Sequence, residues 1–289
     1  MSSHPVSQQD STRPRLFAVG DPAAAGAAPQ APGFAAEQST VDVRRCVEPG
    51  TGSALLGSSV LAVLGCVFLV LTIYGALIAV AGAVLNWFVR RRARVLLRAS
   101  SLRVGPRQFP EIHACAAAFA RRLSLAEAPE IFVVDASEVN GFALRFGRKN
   151  VVVLTDEAVA ACLEGKSPGA LAFVIGHELG HIALGHHRWW RGMQRHYRKL
   201  SRLDELSADH VACELVGTRE AAEDGVLLIC AGPRLLSFVD RGAAREQAAE
   251  VVADRATKRA ERVLSHPTTL RRLDRVSRHF GAGERRAAA

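Results

Sequence analysis

The chain has 289 residues, with 37 Lys or Arg against 28 Asp or Glu and a net charge of +9 at pH 7. From Arg90 onward 33 basic residues face 23 acidic ones, so the basic character lies entirely in the C-terminal two-thirds. An excess of that size suits nucleic acid or anionic headgroups; no nucleic-acid recognition motif accompanies it, so no nucleic-acid partner is expected and a lipid surface is preferred.

Residues 1–50 are rich in Ala, Pro, Gly, Ser and Gln without a periodic apolar pattern, and predict a disordered tail. Between Glu48 and Arg90 the chain then runs 41 residues without a charge. From Ala54 to Phe88 nearly every residue is apolar or small. As one helix that stretch would be about 52 Å long, against a hydrocarbon core of about 30 Å. We expect a transmembrane segment over 53–89, as one long tilted helix or a two-helix hairpin. For the hairpin the limits are Ser53 to Leu71 and Tyr74 to Phe88, with a turn around Thr72-Ile73-Tyr74-Gly75. The arginines at 90, 91, 92, 94 and 98 follow at once, and the positive-inside rule then puts the C-terminal domain on the cytoplasmic side of an inner or equivalent membrane. The cysteines at 46, 66, 115, 162, 213 and 230 show no CxxC pairing and suggest neither a zinc knuckle nor a disulfide framework.

Beyond the apolar block, Pro110–Ala126 has helical spacing, Glu130–Val134 reads as a strand, and so does Asn150–Thr155. Thr155-Asp156-Glu157 opens a helix through Ala161. Ser167 as N-cap and Pro168 at the first helical position open another, whose apolar residues lead into His177-Glu178-Leu179-Gly180-His181. Positions i and i+4 share a helical face, so His177 and His181 can bind one metal ion while Glu178 reaches a water on it as general base. Zinc suits such ligands and leaves room for a third.

Two schemes supply that third ligand. His187 stands at the offset of a third histidine in HExxHxxGxxH, but Leu184 occupies the glycine position and the only later methionine, Met193, lies too close to provide a separate Met-turn. Alternatively, Glu205 and Asp209, four apart on a second helix, would complete a His2Glu site. Glu205 would act as ligand, and Asp209 would accept the hydrogen bond from the far nitrogen of a ligand histidine. Helices over Glu220–Phe238 and Arg245–Val263 follow, the latter leading to Ser265-His266-Pro267.

HELGH, then Glu205-Leu-Ser-Ala-Asp209, then Ser265-His266-Pro267 with Arg271-Arg272, resembles the HtpX and CAAX prenyl endopeptidase family of membrane zinc metallopeptidases over roughly residues 100 to 280. The resemblance implies an α+β, mainly helical zincin-like domain with a small β-sheet, placed here at 95–280 and followed by a flexible tail at 281–289. It implies one Zn2+ per chain and polypeptide substrates, membrane proteins among them. It further implies that His266 stabilises the oxyanion, and that an edge strand pairs with extended substrate, here Asn150, Val151, Val152, Val153 and Leu154. Family members usually carry alanine where Gly141 stands. Arg272 invites pairing with a carboxylate near the site, although a structural role is preferred among so many arginines.

The expected function is therefore that of a membrane-anchored zinc-dependent endopeptidase; the alternative is a catalytically inactive zinc-binding scaffold at the membrane. Only 23 residues separate His181 from Glu205, so the further spans found there in HtpX do not fit. The basic, aromatic linker 186–200, with Trp189 and Trp190, is expected to rest on the membrane surface.

Overall fold

The computed structural model describes residues 40–136, 140–147, 149–163, 167–188, 191–194 and 197–287. Two apolar helices come first, α1 (Thr51–Val70) and α2 (Ile73–Ser100). Thr72 caps α2 by accepting from the Gly75 amide, and a Cβ at Gly75 would lie 1.7 Å from the Leu69 carbonyl oxygen. Only glycine permits this tight reversal. Both helices are long and apolar enough to cross a membrane, and Phe68 and Leu71 are 76% and 79% exposed. Such exposure distinguishes them from core helices of a soluble domain. The second helix continues through the arginine cluster to Ser100, beyond the expected limit at residue 89 and past the domain boundary placed at residue 95.

The remaining elements are β1 (Leu102–Arg103), α3 (Pro110–Arg122), β2 (Glu130–Val134), β3 (Gly141–Phe146), β4 (Lys149–Thr155), α4 (Asp156–Leu163), α5 (Pro168–Ala183), α6 (Arg191–Gln194), α7 (Arg198–Val216), α8 (Arg219–Leu236), α9 (Arg241–Ala253), α10 (Arg255–Glu261) and α11 (Thr269–Ala287). The fold is mainly helical with a small mixed sheet. The helix expected over Arg245–Val263 is broken at Asp254, whose carboxylate accepts from the amides of Ala256 and Thr257 and so starts α10 afresh. Helix α8 is interrupted at Gly232-Pro233, where Gly232 has φ +73°.

The sheet order is β1-β2-β4-β3, with β2 parallel to β4 and the other pairs antiparallel. This corrects the expected edge strand. Residues Val151, Val152, Val153 and Leu154 are paired on both sides, Val152 with Ile131 and Ala143, while Asn150 pairs with Arg145 of β3. Their nearly unbroken apolar run is what a strand covered on both faces requires. The edges are β1 and β3, and β3 is the one that lines the cleft.

Helix α5 runs through the centre of the core, with Ala170 to Gly180 all buried. It packs closely against α7 because small residues meet there. A Cβ at Gly176 would come 3.3 Å from Ala212 Cα, and one at Gly180 3.2 Å from Ala208 Cα. Leu97 of α2 packs against Phe132, Phe146, Val151 and Val153 on the other face of the sheet.

Residues 41–48, assigned to the disordered tail, are built into the body. Cys46 and Glu48 are buried, the Val41 amide bonds the Arg122 carbonyl, the Glu48 amide bonds Ser207 Oγ, and Arg275 pairs with the Glu48 carboxylate. At the other end α11 runs to Ala287, through the tail expected from 281. Residues 1–39 of the expected tail, and Trp189 and Trp190 of the linker, lie outside the described residues. The described part of the linker meets α1, where Gln194 Nε2 donates to Ser59 Oγ.

Candidate metal centre

Helix α5 presents His177 and His181 on one face, and the close approach at Gly176 and Gly180 brings α7 near enough for Glu205 to join them. The two Nε2 atoms are 3.1 Å apart. Glu205 Oε2 lies 3.5 Å from His177 Nε2, and Oε1 lies 3.6 Å from His181 Nε2. Donors sharing a tetrahedral zinc at ordinary bond lengths are roughly 3.4 Å apart, so the three atoms fit one such ion. Their protonation points the same way. Burial alone would raise the Glu205 carboxyl, but hydrogen bonds from His177 and His266 hold it well below the usual carboxylate range. Burial drives His181 down to about 4, whereas Asp209 and Glu205 overcome burial and hold His177 up at about 9. A buried anion with two imidazoles thus needs one cation among them, a proton or a metal. Unlike these three, His187 turns away, with Nε2 3.0 Å from Asn150 Oδ1.

Each of the two histidines is backed by a chain of polar groups. Asp209 Oδ1 lies 2.9 Å from His177 Nδ1, and Arg272 donates to Asp209 through Nε at 2.8 Å and Nη2 at 2.6 Å. Burial alone would raise Asp209, but the adjacent Arg272 charge holds it down at about 2. Arg272 is buried and reaches the metal centre through this pair, so its role is more specific than the general structural one preferred from sequence. On the other side, His186 Nδ1 lies 2.9 Å from His181 Nδ1. Its Nε2 faces Asp204 at 3.4 Å, and Asp204 is paired with Arg191. His186, Asp204 and Arg191 escaped sequence reading; a histidine five residues after a ligand and a buried arginine in a basic linker carry no spacing signature.

Glu178 is buried on the cleft side of α5, and burial raises its carboxyl to about 7 while the neighbouring His177 opposes the shift. The Ala143 amide of β3 donates a hydrogen bond to it. A Cβ at Gly141 would sit 3.4 Å from Glu178 Cγ and 3.1 Å from Val174 Cγ1, so β3 lies directly against the helix carrying Glu178. His177, His181, Glu205, Glu178, the start of β3 and His266 line one cleft of about 590 Å³. His266 stands on the α10–α11 loop, 69% exposed, with Nδ1 3.2 Å from Glu205 Oε1. That loop is held by Glu261, which accepts from the Thr268 amide, and by Arg202, which donates to the Leu264 carbonyl.

A helix carrying two histidines and a glutamate, a second helix bringing Glu205 to them, and a small mixed sheet beside the cleft make up a zincin-like fold. Residues 106–198 match the sequence model of Peptidase family M48, a match that supports a metallopeptidase of this family without resolving a subfamily. The matched stretch, about a third of the chain, contains His177, Glu178 and His181 and stops short of Glu205, Asp209, His266 and Arg272. No curated protein matches the chain.

Proposed function

We propose that the protein is a zinc-dependent endopeptidase held at a membrane by α1 and α2. The observation that supports it best is the convergence of His177, His181 and Glu205 next to a buried Glu178 and the exposed side of β3. Zinc held there by these three residues would act as a Lewis acid toward a peptide carbonyl and acidify a water molecule. Glu178 takes up the proton at its carboxylate and delivers it to the departing amine nitrogen, a transfer suited to a carboxyl already raised toward neutrality. His266 borders the cleft and donates a hydrogen bond to the carbonyl oxygen as negative charge develops.

Extended substrate adds as a further strand on β3. Alternation along the β3–β4 ladder turns Gly141, Ala143 and Arg145 toward the open side, where their carbonyls and the Arg145 amide can hold a peptide with little side-chain demand, the Gly141 and Ala143 amides being engaged by Asn140 Oδ1 and Glu178. Membrane residence rests on the exposed apolar surface of α1 and α2, and the cluster Arg90, Arg91, Arg92, Arg94 and Arg98 favours a cytoplasmic catalytic domain. Turnover of membrane proteins and trimming of lipidated tails are the two substrate classes in view.

Cleavage of casein by the detergent-purified full chain, with and without a chelator, tests the central claim. Wild type should cleave, chelator should stop it and zinc restore it, while Glu178→Gln should lose about 10²–10⁴ in rate. Full activity in Glu178→Gln would overturn the mechanism. Metal-dependent folding without cleavage of any peptide would favour an inactive scaffold. Mass-spectrometric comparison of host-membrane peptides from wild type and Glu178→Gln would separate the two substrate classes.

A further inference from the structure

On the side of α7 turned away from the catalytic donors, His210 and Glu214 sit one helical turn apart. Glu214 is nine positions after Glu205, which at 100° per residue is roughly half a turn around the helix axis. From α11, His279 reaches the same spot. Glu214 Oε1 lies 3.8 Å from His210 Nε2 and 3.4 Å from His279 Nε2, and one ligand atom from each of the three residues lies within 4.8 Å of the others. The imidazoles meet edge to face with centroids 4.9 Å apart. A gap of 3.8 Å is too long for a hydrogen bond. Both gaps are close to the roughly 3.4 Å expected between donors sharing one tetrahedral ion. The neighbouring cation, Arg122, is directed at the backbone carbonyls of Glu214 and Leu215, so it does not occupy the carboxylate.

We infer that His210, Glu214 and His279 form a second divalent-cation site, separate from the peptidase centre, that ties α7 to α11. Two imidazoles and one carboxylate suit zinc, nickel or copper rather than magnesium or calcium. All three residues are partly exposed, which leaves room for a water as fourth ligand and for entry from solvent. The position gives such an ion a consequence. Helix α7 carries Glu205 and Asp209, α11 carries Arg272, and between them those residues hold the catalytic donor set. An ion bridging the outer faces of the two helices fixes their spacing next to the buried Asp209–Arg272 pair.

Equilibrium dialysis of the full-length protein in detergent against Zn2+, with metal content measured by mass spectrometry, tests this. Wild type and Glu178→Gln should hold two equivalents; the double variant His210→Ala/His279→Ala should hold one. His177→Ala/His181→Ala should also hold one, and if it still held two, the catalytic reading would fail while this one stood. Because the outer site is partly exposed, Glu214→Gln provides a near-isosteric control that should weaken the second equivalent by at least tenfold without altering the first. Raising Zn2+ from one to several equivalents should lift the thermal midpoint of wild type and leave that of His210→Ala/His279→Ala unmoved. Equal zinc content in wild type and His210→Ala/His279→Ala would overturn the proposal.

Discussion

Arg272 grips Asp209 through two nitrogens while Asp209 holds His177 Nδ1, so an arginine 95 positions along the chain orients the first of the two motif histidines. All three side chains are buried, and removing one therefore strands the charge of another. Arg272→Ala should cost about 3–5 kcal/mol of stability, whereas Arg272→Lys, which keeps the charge but not the fork, should cost less and chiefly weaken zinc binding by about 10–100-fold. Chemical denaturation and chelator competition measure the two effects separately. Unchanged zinc affinity in Arg272→Lys would show that the fork is unimportant.

The same pair sets an acid limb of stability. The Asp209 carboxyl is held at about 2, below its ordinary 3.8. A depressed carboxyl contributes stability that is complete above about pH 4 and lost as pH falls toward 2, here on the order of 2 kcal/mol. Unfolding of metal-free wild type between pH 5 and 2.5 should accordingly show a steeper loss than Asp209→Asn, which has no proton to take up at this position. Parallel curves would rule this source out.

His186 and His187 make opposite predictions although adjacent. His186 faces His181 Nδ1 at 2.9 Å and should matter to the metal; His187 faces Asn150 and should not. We expect His186→Ala to weaken zinc binding by about tenfold or more, with His187→Ala within twofold of wild type. A reversal of that order would reinstate His187 as third ligand.

Gly180 is where α5 and α7 come closest within the motif. A methyl group there would press on Ala208 and Val211, so Gly180→Ala should destabilise the fold by about 1–3 kcal/mol. It should also push Glu205 away from the histidines. Zinc affinity and thermal midpoint should fall together, and restoring space with Val211→Ala should recover part of both.

The donor set was legible because helical periodicity converts spacing into a shared face: His181 stands four positions after His177, and Asp209 four after Glu205. Nothing comparable announces Arg272 as the partner of Asp209, since tertiary packing alone selects it from the arginines of α11. The edge strand was misplaced for a physical reason. Val151 to Leu154 form the more obvious apolar run, but that run is the mark of a central strand, while β3 is more exposed along its length, including Phe142 at 41%. Residues 41–48 read as tail because their fixing contacts, to Ser207 and Arg275, come from partners more than 150 positions away.

Those contacts change what the apolar hairpin is. Before it, residues 41–48 are fastened to α3, α7 and α11; after it, Arg98 pairs with Glu130 at the end of the sheet. The two helices are thus an excursion that leaves one folded body and returns to it, rather than an anchor appended through a linker. A fragment starting at residue 101 would lack Cys46 and Glu48 and leave the Ser207 and Arg275 surface bare. Seated in a bilayer, such a loop must come back to the leaflet it left, and the height of the cleft above that leaflet is then set by two fixed feet.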